Sequence, residues 1–274
     1  MQPRAATAAL SIAIMLASPI IAAAQHHQPA HRPHHGGAAE SAISRSGPFS
    51  FAVYGAFQRM MQARDFEPKV QLKPVMHDGV TDAVGAVSGL RGEITAIDGK
   101  LLLTYGAPCA TCDPAEDTAT LLATAKVSEW RDPVKLPADL KGKALDDFIV
   151  MQAKTAGLDV TKPFPVRMMG TLTGVKMHVL RGPGRPAKGH GRRHNSGHGP
   201  AHGAGHGAAD QADITADSIE GTVVGFYAPL SLQGIVTHPG DPFHYHFVNT
   251  ARTKTAHLDA FGMQAGSELL LPVK

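Results

Sequence analysis

The stretch Gly221-Thr-Val-Val-Gly-Phe-Tyr227, followed by Phe243-His-Tyr-His-Phe-Val248 and His257-Leu-Asp-Ala-Phe261, decides the fold. β-Branched and aromatic residues dominate these short runs, and Gly, Pro, Asn and Asp separate them, which is typical of strands joined by turns. The polar segment 249–254 suits a turn between the second and third runs. We therefore predict a C-terminal part made of strands, with residues 244–248 and 257–261 folded back as a hairpin.

Upstream, the pattern predicts more strands and two helices. Asp98-Gly99 between two apolar runs indicates a type I′ hairpin, and many strands with few helices favour an α+β fold with antiparallel or mixed sheets. The predicted helices lie near residues 51–61 (from Phe51, Tyr54, Phe57, Met60 and Met61) and 144–156, and the predicted strands at 94–97, 100–105, 119–128, 166–180 (with a break at Gly170 or Gly174), 221–227, 234–237 and 268–273.

The first 24 residues have the layout of a secretory signal peptide. Arg4 precedes an apolar stretch over residues 5–21, and Ala22-Ala23-Ala24 offers a cleavage site. An uncleaved membrane anchor is the alternative, but a polar tract follows at once. We expect cleavage after Ala24, a periplasmic or secreted protein, and no stable membrane insertion afterwards, because no later segment is apolar over a bilayer-spanning length.

Two histidine-rich segments divide the remainder. Residues 25–47 are predicted to be a disordered tether, and residues 181–213 a disordered insertion with a histidine at every fourth position from His190 to His206. Both lack the apolar residues that would offset the entropy of ordering. They separate an N-terminal α+β part, 48–180, from a C-terminal β part, 214–274. Weak metal collection and simple solvation remain equally open as their roles.

Charge and cysteine content exclude some classes. The 26 Lys and Arg against 23 Asp and Glu give a net charge of +3, and aromatic residues are only 5% of the chain, so we expect no nucleic-acid partner. Cys109 and Cys112 lie in a Pro-rich loop rather than at the start of a helix. A local disulfide is therefore favoured over a redox motif, which leaves a thiol oxidoreductase as a minor hypothesis.

Three histidines form the main candidate site. His244 and His246 share one face of a strand because side chains alternate with period two, and the predicted hairpin brings His257 next to His246. Three imidazoles with an open fourth position suit a divalent ion such as zinc in a catalytic site. The alternative is a pair of core or exposed histidines with a coincidental third, and spacing alone does not decide between the two.

Several ordered blocks resemble the alpha-acetolactate decarboxylase family. The blocks are Gly221-Thr-Val-Val-Gly-Phe, His244-Tyr-His-Phe247 with His257 eleven residues after His246, Leu90-Arg-Gly-Glu-Ile94 followed by Asp98-Gly99, and Phe164-Pro-Val-Arg167 followed by Gly170. The resemblance extends from about Phe49 to the C-terminus, interrupted by the histidine-rich insertion. It implies the decarboxylase fold for this chain.

The resemblance also implies roles for single residues. His244, His246 and His257 match the family's zinc ligands, Glu93 its active-site glutamate and Arg167 its active-site arginine. The family converts 2-acetolactate to acetoin and CO2, so 2-acetolactate or a related branched 2-hydroxy-3-oxo acid is the expected small-molecule substrate. Glu93 is expected to move protons, and Arg167 to hold a carboxylate or a developing oxyanion. Without the resemblance, Glu93 would be interpreted as a solvated hairpin residue and Arg167 as a surface ion pair. A homodimer is a candidate assembly.

The sequence departs from the family pattern at three places. Ala86 stands where the family has a threonine, Arg91 where it has an aspartate, and the chain lacks the family's C-terminal tail with a further glutamate. The missing tail and the 16 histidines of the chain motivate a second hypothesis, a non-catalytic metal-binding protein of the cell envelope on the same fold.

Overall fold

Two antiparallel sheets with three helices carry the described part of the chain, which in this computed structural model comprises residues 42–46, 49–110, 112–114, 116–183 and 209–274. The first sheet has the order β1-β2-β7-β4-β5-β6, with β3 also on β7. Its strands are β1 (Ala42–Ser46), β2 (Phe49–Tyr54), β3 (Val70–Gln71), β4 (Asp82–Val87), β5 (Gly92–Ile97), β6 (Lys100–Tyr105) and β7 (Thr118–Val127).

The second sheet has the order β8-β14-β10-β11-β12-β13-β9. The ladders between the named strands of both sheets are all antiparallel. The two sheets and the helices together confirm the expected α+β class. The strands are β8 (Val134–Lys135), β9 (Leu140–Lys141), β10 (Phe164–Pro183), β11 (Ala209–Tyr227), β12 (Phe243–Asn249), β13 (Thr255–Met263) and β14 (Glu268–Leu270), and the helices are α1 (Phe57–Gln62), α2 (Leu72–His77) and α3 (Lys143–Thr155).

Local sequence explains the β5–β6 hairpin and helix α3. Asp98 and Gly99 have φ of 51° and 74°, the two positive values that a type I′ turn requires, so the predicted hairpin is confirmed. In α3, Leu145, Phe148 and Ile149 are buried and form the expected apolar face, and Gly157 follows with φ of 78°. A positive φ just beyond the last turn favours glycine, which explains the end of the helix.

Strands β10 to β13 pair in a closed circuit. β10 pairs with β11, β11 with β12, β12 with β13, and β13 returns to the middle of β10. In this circuit His246 is the direct partner of His257, and His257 is the direct partner of His178. Three imidazoles therefore lie side by side on three neighbouring strands.

One apolar core lies between the two sheets. Phe51 of the first sheet and Phe226 of the second are 1% and 0% exposed, and their ring centroids are 5.7 Å apart. Burying an aromatic side chain of this kind contributes roughly 1.5–3 kcal/mol. Both sheets contribute to the same core, and β10 pairs with β11 along most of its length, so the parts 48–180 and 214–274 share one core in the described structure.

Several local predictions are wrong. Residues 51–54 belong to β2, whose alternating burial has period two, so the helix there starts only at Phe57. Residues 234–237 form a turn with a single bridge and a positive φ at Gly234. β10 continues through Gly170 and Gly174, although its pairing with β13 shifts between Thr173 and Lys176.

The histidine-rich segments are also shorter than predicted. Residues 42–46 pair with β2, and residues 181–183 and 209–213 belong to β10 and β11, so the prediction of disorder is wrong for them. Ladder hydrogen bonds order the backbone of these residues. The predicted signal peptide, most of the tether and residues 184–208 lie outside the described residues. Within the described part, none of the helices has the length and hydropathy of a membrane span.

Candidate active site and metal centre

The three predicted ligands meet in the second sheet. His244 and His246 project from the same face of β12, with their Nε2 atoms 3.2 Å apart, and the ring centroid of His257 is 5.0 Å and 5.4 Å from theirs. Their exposed fractions are 4%, 0% and 7%. One nitrogen of each ring lies within 4.8 Å of the other two. The hairpin expected from the sequence thus produces the cluster.

The electrostatics of the cluster fit a metal ion. Burial lowers the pKa of His244 to about 3 and holds the pKa values of His246 and His257 well below 6.5, with the neighbouring imidazoles acting in the same direction. All three are therefore neutral near pH 7 and keep a lone pair for a cation. Two imidazole nitrogens on a tetrahedral zinc ion lie roughly 3.3 Å apart, close to the observed separation of the Nε2 atoms. The three buried histidines could hold one divalent ion.

Glu93 reaches the cluster from the first sheet. Its Oε2 is 3.7 Å from Nε2 of His246, and its Oε1 accepts a hydrogen bond of 3.1 Å from the backbone N–H of Leu180. Burial raises the pKa of Glu93 to about 7, against the opposing charge of His178 and the Leu180 hydrogen bond. The carboxyl can therefore hold or release a proton near neutral pH beside the candidate ligands.

Arg167 pairs with acids of the first sheet rather than with a histidine of the cluster, and the active-site role that the resemblance implied stays a prediction. Its Nε donates to Asp82 at 2.5 Å and its Nη1 to Asp98 at 2.6 Å, while the guanidinium covers the ring of Trp130 at 4.6 Å. Two acids of the first sheet thus hold the side chain. Arg167 ties the two sheets together and is absent from the residues that line the cavity described next.

A mainly apolar cavity opens beside the histidines. Its wall includes Ala86, the position where the sequence departs from the family pattern, so the missing threonine hydroxyl would have faced this space. A substrate with alkyl substituents would find apolar surface on most sides. The lining residues are Phe57, Met60, Met61, Gly85, Ala86, Leu90, Glu93, Leu121, His178, Leu180, Ala209, Gln211, His238, His244 and His257.

Sequence reasoning missed three polar residues of this wall, namely His178, Gln211 and His238. His178 Nδ1 lies 2.9 Å from both carboxylate oxygens of Asp259. Burial alone lowers the pKa of His178, but the hydrogen bond to Asp259 and the charge of Glu93 outweigh it, so the net pKa is raised. A single histidine within a predicted strand gives no signal of this kind, because the β10–β13 pairing that places it is non-local.

Comparison with known proteins agrees with this geometry. A family model described as alpha-acetolactate decarboxylase matches residues 54–270, well over half of the chain. The chain belongs to the alpha-acetolactate decarboxylase family. As a member of this family, it is expected to be a decarboxylase with a small-molecule substrate.

Solved structures share the fold of this family member at low sequence identity. The alpha-acetolactate decarboxylase from Bacillus subtilis strain 168 is 15% identical with a TM-score of 0.59, over 79% of this chain and 82% of that one. The enzyme from Bacillus subtilis subspecies spizizenii is 14% identical with a TM-score of 0.59, over 80% and 84%. A Staphylococcus aureus protein of unknown function, similar to alpha-acetolactate decarboxylase, is 15% identical with a TM-score of 0.55, over 80% and 83%. Among curated proteins, no sequence matches this chain.

Proposed function

We propose that the protein is an exported, zinc-dependent decarboxylase that converts 2-acetolactate, or a related branched 2-hydroxy-3-oxo acid, to acetoin or its homologue and CO2. The observation that carries the proposal is the position of the buried Glu93 carboxyl, 3.7 Å from a histidine of the candidate metal centre, at the wall of an apolar cavity. Family membership supplies the reaction class.

The chain's own residues account for the steps that such a decarboxylation needs. A divalent ion held by His244, His246 and His257 supplies Lewis-acid stabilisation of the negative charge left on the substrate when CO2 departs. Glu93, with a pKa of about 7, then donates a proton to the carbon that lost CO2 and regains one from solvent. The apolar wall around Leu90 and Leu121 accommodates the alkyl groups and limits the access of water.

Export is part of the same proposal. It rests on the signal-peptide pattern of residues 1–24 and is supported by the disulfide between Cys109 and Cys112, because disulfides persist in oxidising compartments. N-terminal sequencing of the protein recovered from the periplasm or the medium tests it. We expect Gln25 as the first residue, whereas a cytoplasmic protein that retains Met1 would refute export.

The activity is tested with zinc-loaded protein and 2-acetolactate. Acetoin and CO2 release are measured for the wild type, for His246→Ala and Glu93→Gln in the site, and for His77→Ala, a matched control because His77 is exposed on α2 and outside the cavity. We expect the control to match the wild type and both site variants to lose at least about a hundredfold in rate, within the range for a lost proton donor.

One observation favours a second candidate function, a non-catalytic metal-binding protein on the same fold. Arg167, the family's active-site arginine by resemblance, is engaged by Asp82 and Asp98 and is not among the residues that line the cavity. The same experiment separates the two functions. If the wild type binds one zinc ion per chain but releases no more acetoin than His246→Ala, the decarboxylase proposal is refuted and the second function is supported.

A further inference from the structure

A threonine of the first sheet contacts one of the candidate metal ligands. Thr95 lies on β5 two residues after Glu93, so both side chains leave the strand on the same face. Its Oγ1 lies 3.0 Å from Nδ1 of His246 and 2.5 Å from Oγ1 of Thr255 on β13. Thr95 and His246 are fully buried and Thr255 is 2% exposed. The two hydroxyls and the imidazole therefore form a continuous chain of hydrogen bonds, with Thr95 in the middle.

The partners of the two His246 nitrogens define its tautomer in the metal-free protein. Nδ1 of His244 can only donate to the carbonyl oxygen of Val236, 3.0 Å away, so Nε2 of His244 carries a lone pair. Nε2 of His246, 3.2 Å from that atom, is then the donor between the two rings. Nδ1 of His246 is left as an acceptor for the hydroxyl of Thr95, an assignment that follows from the partners.

Metal binding requires the opposite tautomer. If Nε2 of His246 gives its lone pair to an ion, the ring proton must lie on Nδ1. A hydroxyl can donate or accept, so Thr95 can accept from Nδ1 and turn its own proton toward Oγ1 of Thr255, where either oxygen can serve as donor. A valine at position 95 has the shape of threonine but would remove this acceptor and leave the backbone of Ile94 as the ring's remaining partner on β5, which costs free energy.

We propose that Thr95, supported by Thr255, is a positioning residue that holds His246 in the tautomer that presents Nε2 to the metal ion. The inference rests on the metal centre of the proposed function and is independent of turnover. It gives the first sheet a second contact with the centre, besides Glu93, because β5 carries both side chains. Ion affinity therefore depends on the packing of β5 against β12.

The test measures ion affinity rather than activity. Zn²⁺ is titrated into full-length metal-free protein against a chromophoric chelator, and Co²⁺ absorption spectra report the ligand geometry. The variants are Thr95→Val, Thr95→Ser, Thr255→Val and Thr124→Val. Thr124 is the matched control, because it is also buried in the first sheet but donates to the carbonyl of Ala52 at 3.2 Å, outside the cavity.

We expect Thr95→Val to bind Zn²⁺ at least about tenfold more weakly, the usual effect of removing such an outer partner. Thr95→Ser, which restores the hydroxyl, and Thr124→Val should show no significant change in affinity from the wild type. If Thr95→Val does not fold, Thr255→Val makes the same test, with an expected loss of about threefold or more.

The outcomes separate this inference from the proposed function. If Thr95→Val binds Zn²⁺ as tightly as the wild type, the inference alone is overturned, and the same holds for Thr255→Val if Thr95→Val does not fold. A loss of Zn²⁺ affinity in Thr95→Ser equal to that in Thr95→Val overturns it as well. A wild type that binds no Zn²⁺ or Co²⁺ overturns the inference and the proposed metal centre together. A wild type that binds Zn²⁺ but does not turn over acetolactate, with Thr95→Val weakened, supports the inference and refutes only the decarboxylase activity.

Discussion

Replacing Arg167 with methionine should destabilise the protein without impairing the metal centre. The substitution removes both ion pairs of the guanidinium and leaves Asp82, which is fully buried, with only the hydroxyl of Thr81 as a side-chain donor at 2.8 Å. Removing one partner of a buried pair costs roughly 3–5 kcal/mol. The lost contact with Trp130 adds about 0.5–1 kcal/mol. We therefore expect the free energy of unfolding of Arg167→Met to fall by about 4 kcal/mol at pH 8.

The deficit should depend on pH in a defined direction. Burial already raises the pKa of Asp82 despite the hydrogen bond from Arg167, and the pKa rises further once the guanidinium is gone. A carboxyl whose folded-state pKa lies above its unfolded value binds more protons when folded, so its penalty grows as pH rises. The deficit of Arg167→Met should therefore be smaller at pH 5 than at pH 8, and Asp82→Asn in the same chain should recover part of it.

The unfolding free energy is measured by urea unfolding followed by far-UV circular dichroism. Tryptophan fluorescence is not used, because Trp130, the single tryptophan of the chain, contacts the altered side chain. Arg59→Met is the matched control. Arg59 pairs with Asp65 at 3.3 Å, but its side chain is 63% exposed, so its loss should cost less than about 1 kcal/mol. Wild-type stability of Arg167→Met together with loss of turnover would refute the structural role and restore the catalytic one.

Three further predictions concern the site and the disulfide. Glu93→Gln should make the metal-free protein more stable by roughly 3 kcal/mol above pH 7. The reason is that the pKa of Glu93 in the folded protein is about 7 instead of 4.5, so the wild type loses stability as pH rises from 4.5 to 7. Equal effects of the substitution in urea unfolding at pH 4 and pH 8 would contradict this. Removing the metal with a chelator should lower the unfolding free energy of the loaded wild type by about 2.7 kcal/mol, if the ion was present at a hundred times its Kd. In the same urea unfolding experiment, the chelator should not change the unfolding free energy of His246→Ala. Replacing Cys109 and Cys112 by serine should cost at most about 2 kcal/mol for so short a loop and leave Zn²⁺ affinity unchanged, because neither cysteine lines the cavity; a loss of affinity would show that the loop supports the site.

The sequence by itself determined the features that depend on neighbouring residues. Alternation along a strand places His244 and His246 on one face, and the polar turn after Asn249 returns the chain so that His257 pairs with His246. The turn at Asp98-Gly99 and the apolar face of α3 follow from equally local rules. Local periodicity misled near Phe51, where apolar residues fit both a helical and a period-two pattern and pairing with β7 decided for the strand, and at residues 234–237, which form a turn.

The tertiary structure decided which of these faces meet. Glu93 reaches His246 only because the first sheet packs on the second, and His178 lies beside His257 only because β13 closes back onto β10. Arg167 has the residue type that a carboxylate site needs, but Asp82, distant in sequence, holds its guanidinium inside the sheet interface. Side-chain direction within a strand is a local property of the backbone, whereas the partner of a charged group depends on non-local packing and on the electrostatic cost of leaving a buried charge unpaired.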